Sequence, residues 1–342
     1  MLFRAKAPLR VSFAGGGTDV APFPEREGGL VLNATINRYA YGTLRPRRDE
    51  NVHIESVDFG QTAKYGFDQA VVFDGQLDLV KAAIRRLGGL EREGAGGFEL
   101  FLHSNAPPGS GLGSSSTMMV ALIGLLKEFR SVPLTDYEIA QTAFEVERVD
   151  LGLKGGLQDQ YAATFGGFNF LELAGDRVIV NPLRIPDDTV MELEHNLLLA
   201  YTGRTRQGDH IIEDQTARFE QDESNAVEGL RLQKQLAVDM KNALLSRRVG
   251  DFGALLHDAW QAKKRMSDRI SSDYIDEMYE EAVKAGAVGG KVTGAGGGGY
   301  MLFYCRYDRK HRVADRLEEL GAKVTEFAFE QQGLRTWRAD DS

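Results

Sequence analysis

The stretch PPGSGLGSSS, Pro107 to Ser116, holds three glycines and four serines in ten residues. Such small side chains build no core, so the value of the stretch lies in its backbone. Glycines let backbone N–H groups approach an anion, and a helix N-terminus adds uncovered donors and about half a positive charge. The alternating run FELFLHS precedes the stretch and the apolar run TMMVALIGLLKEF follows it. Strand, glycine loop and helix start form a phosphate-binding arrangement, in which serine hydroxyls can reach phosphate oxygens or a magnesium ion. Pro108, Gly109, Ser110, Gly111, Leu112, Gly113, Ser114, Ser115 and Ser116 are the candidate cradle, and its Ser and Thr residues suit an N-cap. No Lys-Ser or Lys-Thr follows the last glycine, so this is not a Walker A loop.

Two further glycine clusters stand at the ends of the chain. In KVTGAGGGGY, Gly294, Gly296 and Gly299 fit G-x-G-x-x-G. The reading puts a helix before them and the strand YMLFYC after, which fails the order of a dinucleotide-binding unit. Four consecutive glycines, Gly296 and Gly297 among them, still ask for close backbone approach. In APLRVSFAGGGTD, Gly16 and Gly17 lead into Thr18 and Asp19, a hydroxyl and a carboxylate suited to sugar hydroxyls. Two acids lie between the clusters, in EVERVDLGLKGGLQDQYAATFGG. Thr135 and Glu138 predict a capping box for the helix leading in. The chain breaks at Gly152, Gly155 and Gly156 and restarts as a helix near Asp159. Read alone, Asp159 is a first-turn acid stabilised by the helix dipole, and Glu147 belongs to a solvated helix face. The DFG at Asp251 has no HRDxxxxN loop upstream and reads as a turn near a helix start. The six histidines show no metal spacing.

The elements that must position these residues follow from pattern. LVLNATI and YAYGTLR read as strands, and NPLRIPDD, with two prolines, as a boundary. The second half opens on the strand NLLLAYTG. Amphipathic helices follow in NAVEGLRLQKQLAVDMKNALL and DEMYEEAVKAG, and the chain closes with YMLFYC, VADRLEELG and KVTEFAFE as strand, helix and strand. Blocks of this kind predict an α+β protein. The length of 342 residues suits two domains, expected at 1–185 and 190–342. A net charge of −9 argues against a nucleic-acid surface. The single cysteine, Cys305, excludes a disulfide framework. MLFRAKAPLR has no apolar signal core and no apolar run suits a membrane span, so a cytoplasmic protein is expected, with no membrane partner.

Taken together, APLRVSFAGGGTD, PPGSGLGSSS and KVTGAGGGG resemble, in order and over nearly the whole chain, the three motifs of the GHMP small-molecule kinases. The resemblance implies an N-terminal ribosomal-protein-like α/β domain and a C-terminal ferredoxin-like α+β domain, acting as an ATP- and Mg2+-dependent sugar kinase, monomeric or homodimeric. Residues 109–115 would wrap the ATP phosphates. Ser115 and Glu147 would hold magnesium, with Ser114 and Ser116 leaving the serine register open. Asp159 would be the catalytic base or orient the attacking hydroxyl. Arg10 would favour the ionised carboxylate and offset charge on the γ-phosphoryl group, and Gly294 to Gly298 would close the site. RAKAPLRVSFAGGGTD and GGLVLNATINRYAY resemble most the branch acting on D-glycero-D-manno-heptose 7-phosphate; the galactose branch carries GEHTDY where this chain has GGGTD. A kinase of an unphosphorylated sugar, fucose-like or galactose-like, and a non-catalytic sugar and nucleotide sensor are the rival readings. A phosphorylated acceptor needs cations, and Arg204 and Arg206 in YTGRTRQ are the expected holders of its distal phosphate.

Overall fold

The computed structural model describes residues 1–58, 60–66, 72–88, 96–175, 177–205 and 208–341. In chain order the first part forms β1 (Leu2–Ala14), α1 (Phe23–Glu27), β2 (Gly29–Pro46), β3 (Asn51–Ser56), β4 (Gln61–Gly66), α2 (Asp78–Leu87), β5 (Phe98–Ser104), α3 (Ser114–Arg130), α4 (Asp136–Glu145), α5 (Gln158–Phe165), β6 (Phe168–Ala174) and β7 (Arg177–Pro182). The second part forms α6 (Asp187–Asn196), β8 (Leu197–Tyr201), α7 (Asp209–Glu220), α8 (Ser224–Leu245), α9 (Val249–Lys264), α10 (Asp273–Ala285), β9 (Ala287–Val292), β10 (Tyr300–Cys305), α11 (Lys310–Glu319), β11 (Lys323–Thr325) and β12 (Arg335–Ala339).

Two sheets result. The first runs β12-β1-β2-β5-β3-β4, with β6 and β7 continuing from the other half of β2. β2 pairs β5 through Ala40–Pro46 and β6 through Gly29–Ala34, so one long strand serves two branches. The second sheet is β11-β8-β10-β9. Strand β5 buries Phe98, Leu100 and Leu102 on one face, as its alternation predicts. The capping box of Thr135 and Glu138 starts α4.

One core joins the two sheets. Leu9, Val11 and Phe13 of β1 pack with Leu197 and Leu199 of β8, Phe252 and Leu256 of α9, and Leu302 of β10. The chain also crosses back at its end, because β12 pairs antiparallel with the first residues of β1. A cut near 185–190 therefore leaves β12 in the sheet of the N-terminal half. The expected strand KVTEFAFE is short for a related reason. Phe327 and Phe329 leave the second sheet and pack under the first, where the Phe329 ring centroid lies 4.6 Å from that of Phe168.

A strand, not a helix, leads into the glycine cluster KVTGAGGGGY. AVGGKV forms β9, so the cluster is the turn of a β9–β10 hairpin rather than a helix-to-strand junction. Its glycines hid it from propensity. They are there because α9 packs tightly on the strand: a Cβ on Gly289 would come 2.2 Å from the Gly253 carbonyl oxygen. The dinucleotide reading still fails, since a strand follows the motif.

Candidate active site

The central loop folds around three left-handed glycines, Gly109, Gly111 and Gly113, at φ of 71°, 82° and 73°. L side chains rarely adopt these angles. Gly113, rather than the expected Ser or Thr, is the N-cap of α3, and no described side chain caps the helix. The first-turn N–H groups are left toward the cleft, the condition an anion site needs.

The loop interlocks with the β9–β10 turn. Tyr300 N donates to Ser110 O at 2.9 Å. A Cβ on Gly299 would lie 2.2 Å from Ser110 O, and one on Gly111 would lie 2.6 Å from Thr293 O. Gly111→Val is therefore no clean probe of phosphate binding, because the new side chain meets the second glycine turn first. We expect it to lower the melting temperature by several degrees as well as ATP affinity, through backbone strain of about 1–3 kcal/mol plus the clash. Calorimetry and thermal melting together check this; a loss of affinity at unchanged melting temperature would contradict it.

Arg10 ties this loop to Asp159. The arginine is 3% exposed, on β1 beyond a bulge in its pairing with β2. Its Nε donates to Asp159 Oδ1 at 2.7 Å, Nη2 lies 2.6 Å from the same oxygen, and Nη1 donates to Gly111 O at 2.7 Å. Asp159 sits in the first turn of α5. A Cβ on Gly113 would stand 3.1 Å from its carboxyl, so the loop passes directly against the acid.

Asp19 is buried beside them. Its Oδ1 accepts from Gly17 N at 3.0 Å and its Oδ2 from Gln158 N and Nε2 at 3.2 and 3.1 Å. Burial, and then the charge of Asp159, raise its pKa. A Cβ on Gly156 would fall 2.0 Å from Asp19 Oδ2, which accounts for the glycine break before α5.

Glu147 is 1% exposed, not on a solvated face. The expectation failed because α4 continues into a π-helical turn, Val146–Asp150, where 3.6-residue periodicity no longer decides which side faces in. Ser115 Oγ donates to Glu147 Oε1 at 3.3 Å and Gln160 Nε2 donates to Oε2. Burial is the largest influence on this carboxyl and raises its pKa, partly offset by the Arg148 charge. Ser114 Oγ turns away to donate to Pro107 O at 3.3 Å, whereas Ser115 Oγ reaches the Glu147 carboxylate and Ser116 Oγ, which accepts from Gln160 Nε2 at 3.1 Å, also favours its charged form.

These groups line a cleft of about 350 Å3 between the two halves of the chain. Gly16, Gly17, Asp19, Gly109, Gly111, Gly113, Ser114, Ser115, Ser116, Glu147, Asp159, Gly294 and Gly296 all line it. Thr18 braces the turn from inside, its Oγ1 donating to Gly15 O at 2.8 Å. Ser110 and Leu112 are buried. Gly297 N donates to Ile270 O at 2.8 Å. The Arg204 guanidinium is stacked 3.9 Å from the Tyr274 ring centroid and does not line the cleft, while Arg206 lies outside the described residues. Arg148, Lys154, Asp209, Gln215 and Lys263, which no sequence motif marks, also line the cleft. A second cavity, also about 350 Å3, adjoins it across Ser114, Ser115 and Leu153. It is lined by Pro108, Leu77, Val80, Leu102, Met118 and Leu122, with Asp58, Gln61 and Asp78 among its polar groups.

Among the described residues no helix is long and apolar enough to cross a membrane, and no three His, Cys, Asp or Glu side chains cluster as a metal site.

Comparison with known proteins places the whole chain in one family. Residues 78–167 match the family model "GHMP kinases N terminal domain" and residues 240–323 match "GHMP kinases C terminal". The chain is 39% identical over 336 residues to D-glycero-alpha-D-manno-heptose 7-phosphate kinase of Campylobacter jejuni, covering 98% of each. It superposes with a TM-score of 0.84 at 37% identity on a Bacteroides thetaiotaomicron structure described as a D-glycero-D-manno-heptose 1-phosphate kinase, covering 99% of this chain and 100% of that one. A putative sugar kinase structure from Campylobacter jejuni gives 0.81 at 38% identity, covering 99% and 98%. The chain belongs to the GHMP kinase family and is a phosphotransferase acting on a hydroxyl group.

Proposed function

We propose that this chain transfers the γ-phosphoryl group of ATP to the anomeric hydroxyl of D-glycero-D-manno-heptose 7-phosphate, giving the 1,7-bisphosphate on the way to a nucleotide-activated heptose. The observation that carries the reading is the Arg10 tie, which holds the Asp159 carboxylate and the Gly111 loop in one frame at the cleft. Phosphoryl transfer asks for positioning and charge neutralisation more than covalent chemistry. The first turn of α3 supplies N–H donors for the phosphates, and the apolar second cavity is the place for the nucleoside. Asp159 orients the acceptor hydroxyl and takes its proton. Asp19 and the Gly16–Gly17 turn meet sugar hydroxyls.

Glu147, with Ser115 beside it, fits magnesium. The donors are hard oxygens, and one carboxylate plus a hydroxyl suffices for an ion that takes most of its other ligands from phosphates and water. Bound there, Mg2+ would offset negative charge on the phosphates. ATP, Mg2+ and a cytoplasmic setting belong to this reading together.

The names of the two heptose relatives differ in where the acceptor already carries phosphate. Phosphorus NMR of the product settles the position for this chain: the expected product carries phosphate at carbons 1 and 7. Dephosphorylated heptose should raise KM by roughly tenfold or more, the size of a lost charge-assisted bond. Equal turnover of the free sugar would favour the fucose-like reading. Because Arg204 is stacked on Tyr274 and does not line the cleft, Arg148 and Lys154, the lining cations outside the Arg10–Lys263 pair, become the candidates for the distal phosphate.

A further inference from the structure

We propose that Lys263 is a second cation of the transfer centre, supplied by the C-terminal half, whose ammonium contacts the phosphoryl group being transferred. The proposal rests on the phosphotransferase reading of the same cleft.

Lys263 lies at the end of α9, is 4% exposed and lines the cleft. Its Nζ donates to Gly294 O. An ammonium has three donors, so two are left for the cleft. The arrangement mirrors Arg10. Gly111 and Gly294 are both left-handed glycines, and a Cβ on Gly294 would lie 2.7 Å from Gly111 Cα. Arg10 holds the carbonyl of the first and Lys263 the carbonyl of the second. Each half of the molecule thus brings one cation under its own glycine turn at the point where the turns meet.

The surrounding charges argue that the lysine does more than brace a turn. Facing it are Arg10 from β1, Asp19 from the turn after β1 and Asp159 from α5. A second buried lysine, Lys291 of β9, stands behind it, with its Nζ donating to Phe13 O at 2.8 Å. Burial pushes Lys291 far below the usual lysine range, so the charges facing one another here are Arg10 and Lys263 against Asp19 and Asp159, and the two cations stand where the glycine turns meet, open to an arriving phosphate anion. The neighbouring Lys264 turns outward to Asp276 at 3.5 Å, so α9 aims one of two consecutive lysines at the cleft.

The same surroundings give a pH signature. Burial first, and the Arg10 charge next, push Lys263 down to about 8, with Asp19 and Asp159 pulling the other way. A function that needs the protonated amine is lost as pH rises through that value. Bound phosphates retain the proton, so the alkaline fall in kcat should lie at higher pH than that in kcat/KM.

The test compares the full-length wild type with Lys263→Met and Lys263→Arg, on whichever hydroxyl acceptor the wild type turns over. A wrong acceptor assignment therefore leaves this comparison intact. Melting temperature and ADP binding are measured alongside. Lys263→Met should lose roughly 10²-fold in kcat, with KM for ATP changed by less than about fivefold, below one tenfold step of about 1.4 kcal/mol. Lys263→Arg should restore most of that loss and abolish the alkaline fall, since guanidinium does not titrate there. Wild-type kcat in a folded Lys263→Met protein overturns the proposal. So does an alkaline fall that persists unchanged in Lys263→Arg.

Discussion

Asp159→Asn retains ATP binding and loses roughly 10²–10⁴-fold in kcat, the usual worth of a general base. The carboxylate is held from one side only. Arg10 Nε and Nη2 both engage Oδ1, which leaves Oδ2 toward the cleft wall, where the loop passes at Gly113. Asparagine can keep one acceptor against Arg10 while presenting an amide that neither accepts a proton nor carries charge. Its shape is conserved, so the phosphate loop keeps its Arg10–Gly111 bond and nucleotide affinity should hold. Single-turnover kinetics at saturating substrates, with calorimetry for ATP, separate the two effects. A near-normal kcat would return Asp159 to the bland reading of a helix-dipole acid. A parallel loss of ATP binding would mean that the substitution had disturbed the loop rather than the chemistry.

The residues of this site differ in how far the chain announces them. PPGSGLGSSS is legible because backbone approach and left-handed angles can be met by few residue types, and the alternation of FELFLHS fixes the strand ahead of it. Asp159 and Arg10 could be named only through motif resemblance, since 149 positions separate them and no local pattern pairs an arginine in one strand with an acid opening a distant helix. Glu147 was misplaced by periodicity itself, because a π-turn shifts the inward face without leaving any compositional mark. Lys263 was illegible for a simpler reason. In QAKKRM two lysines stand side by side, and a rotation of about 100° per residue sends one inward and the other to solvent. Which one turns in depends on the packing of α9 against the glycines of β9. Strand β9 was lost to the same cause, because GG weakens strand propensity where the helix needs the room. Arg204 shows the opposite error: a charged loop near a cleft suggested an anion site, and an aromatic ring took the guanidinium instead.

Glu147→Gln should make the protein more stable and nearly inactive. The wild-type carboxylate is buried, and its folded pKa is raised above the ordinary value, chiefly by burial. A raised acid pKa means that the folded state binds the proton more readily than the unfolded chain. The cost is absent below the unfolded pKa, where both states are protonated. It grows as pH rises toward the folded pKa and is complete above it. Glutamine removes that cost while keeping the shape. Its Oε1 can still accept from Ser115 or from Gln160, which, with Ser116, face the carboxylate. The variant should therefore melt higher than wild type at neutral pH, by roughly 1–2 °C per kcal/mol relieved. The difference should shrink as the buffer is acidified through the carboxylate range. Activity should move the other way. Charge neutralisation by a bound divalent ion contributes several kcal/mol to phosphoryl transfer, so kcat at fixed magnesium should fall by at least about 10²-fold. Raising magnesium should recover part of the loss if the carboxylate acts through the ion, because Ser115 and the nucleotide's phosphates would still be there to hold it. The two readouts are independent: melting curves across pH test the burial argument, and magnesium titration of kcat tests the metal assignment. A variant that melts lower than wild type at neutral pH would mean that Glu147 is stabilised by its neighbours. A variant with full activity would remove it from the metal site.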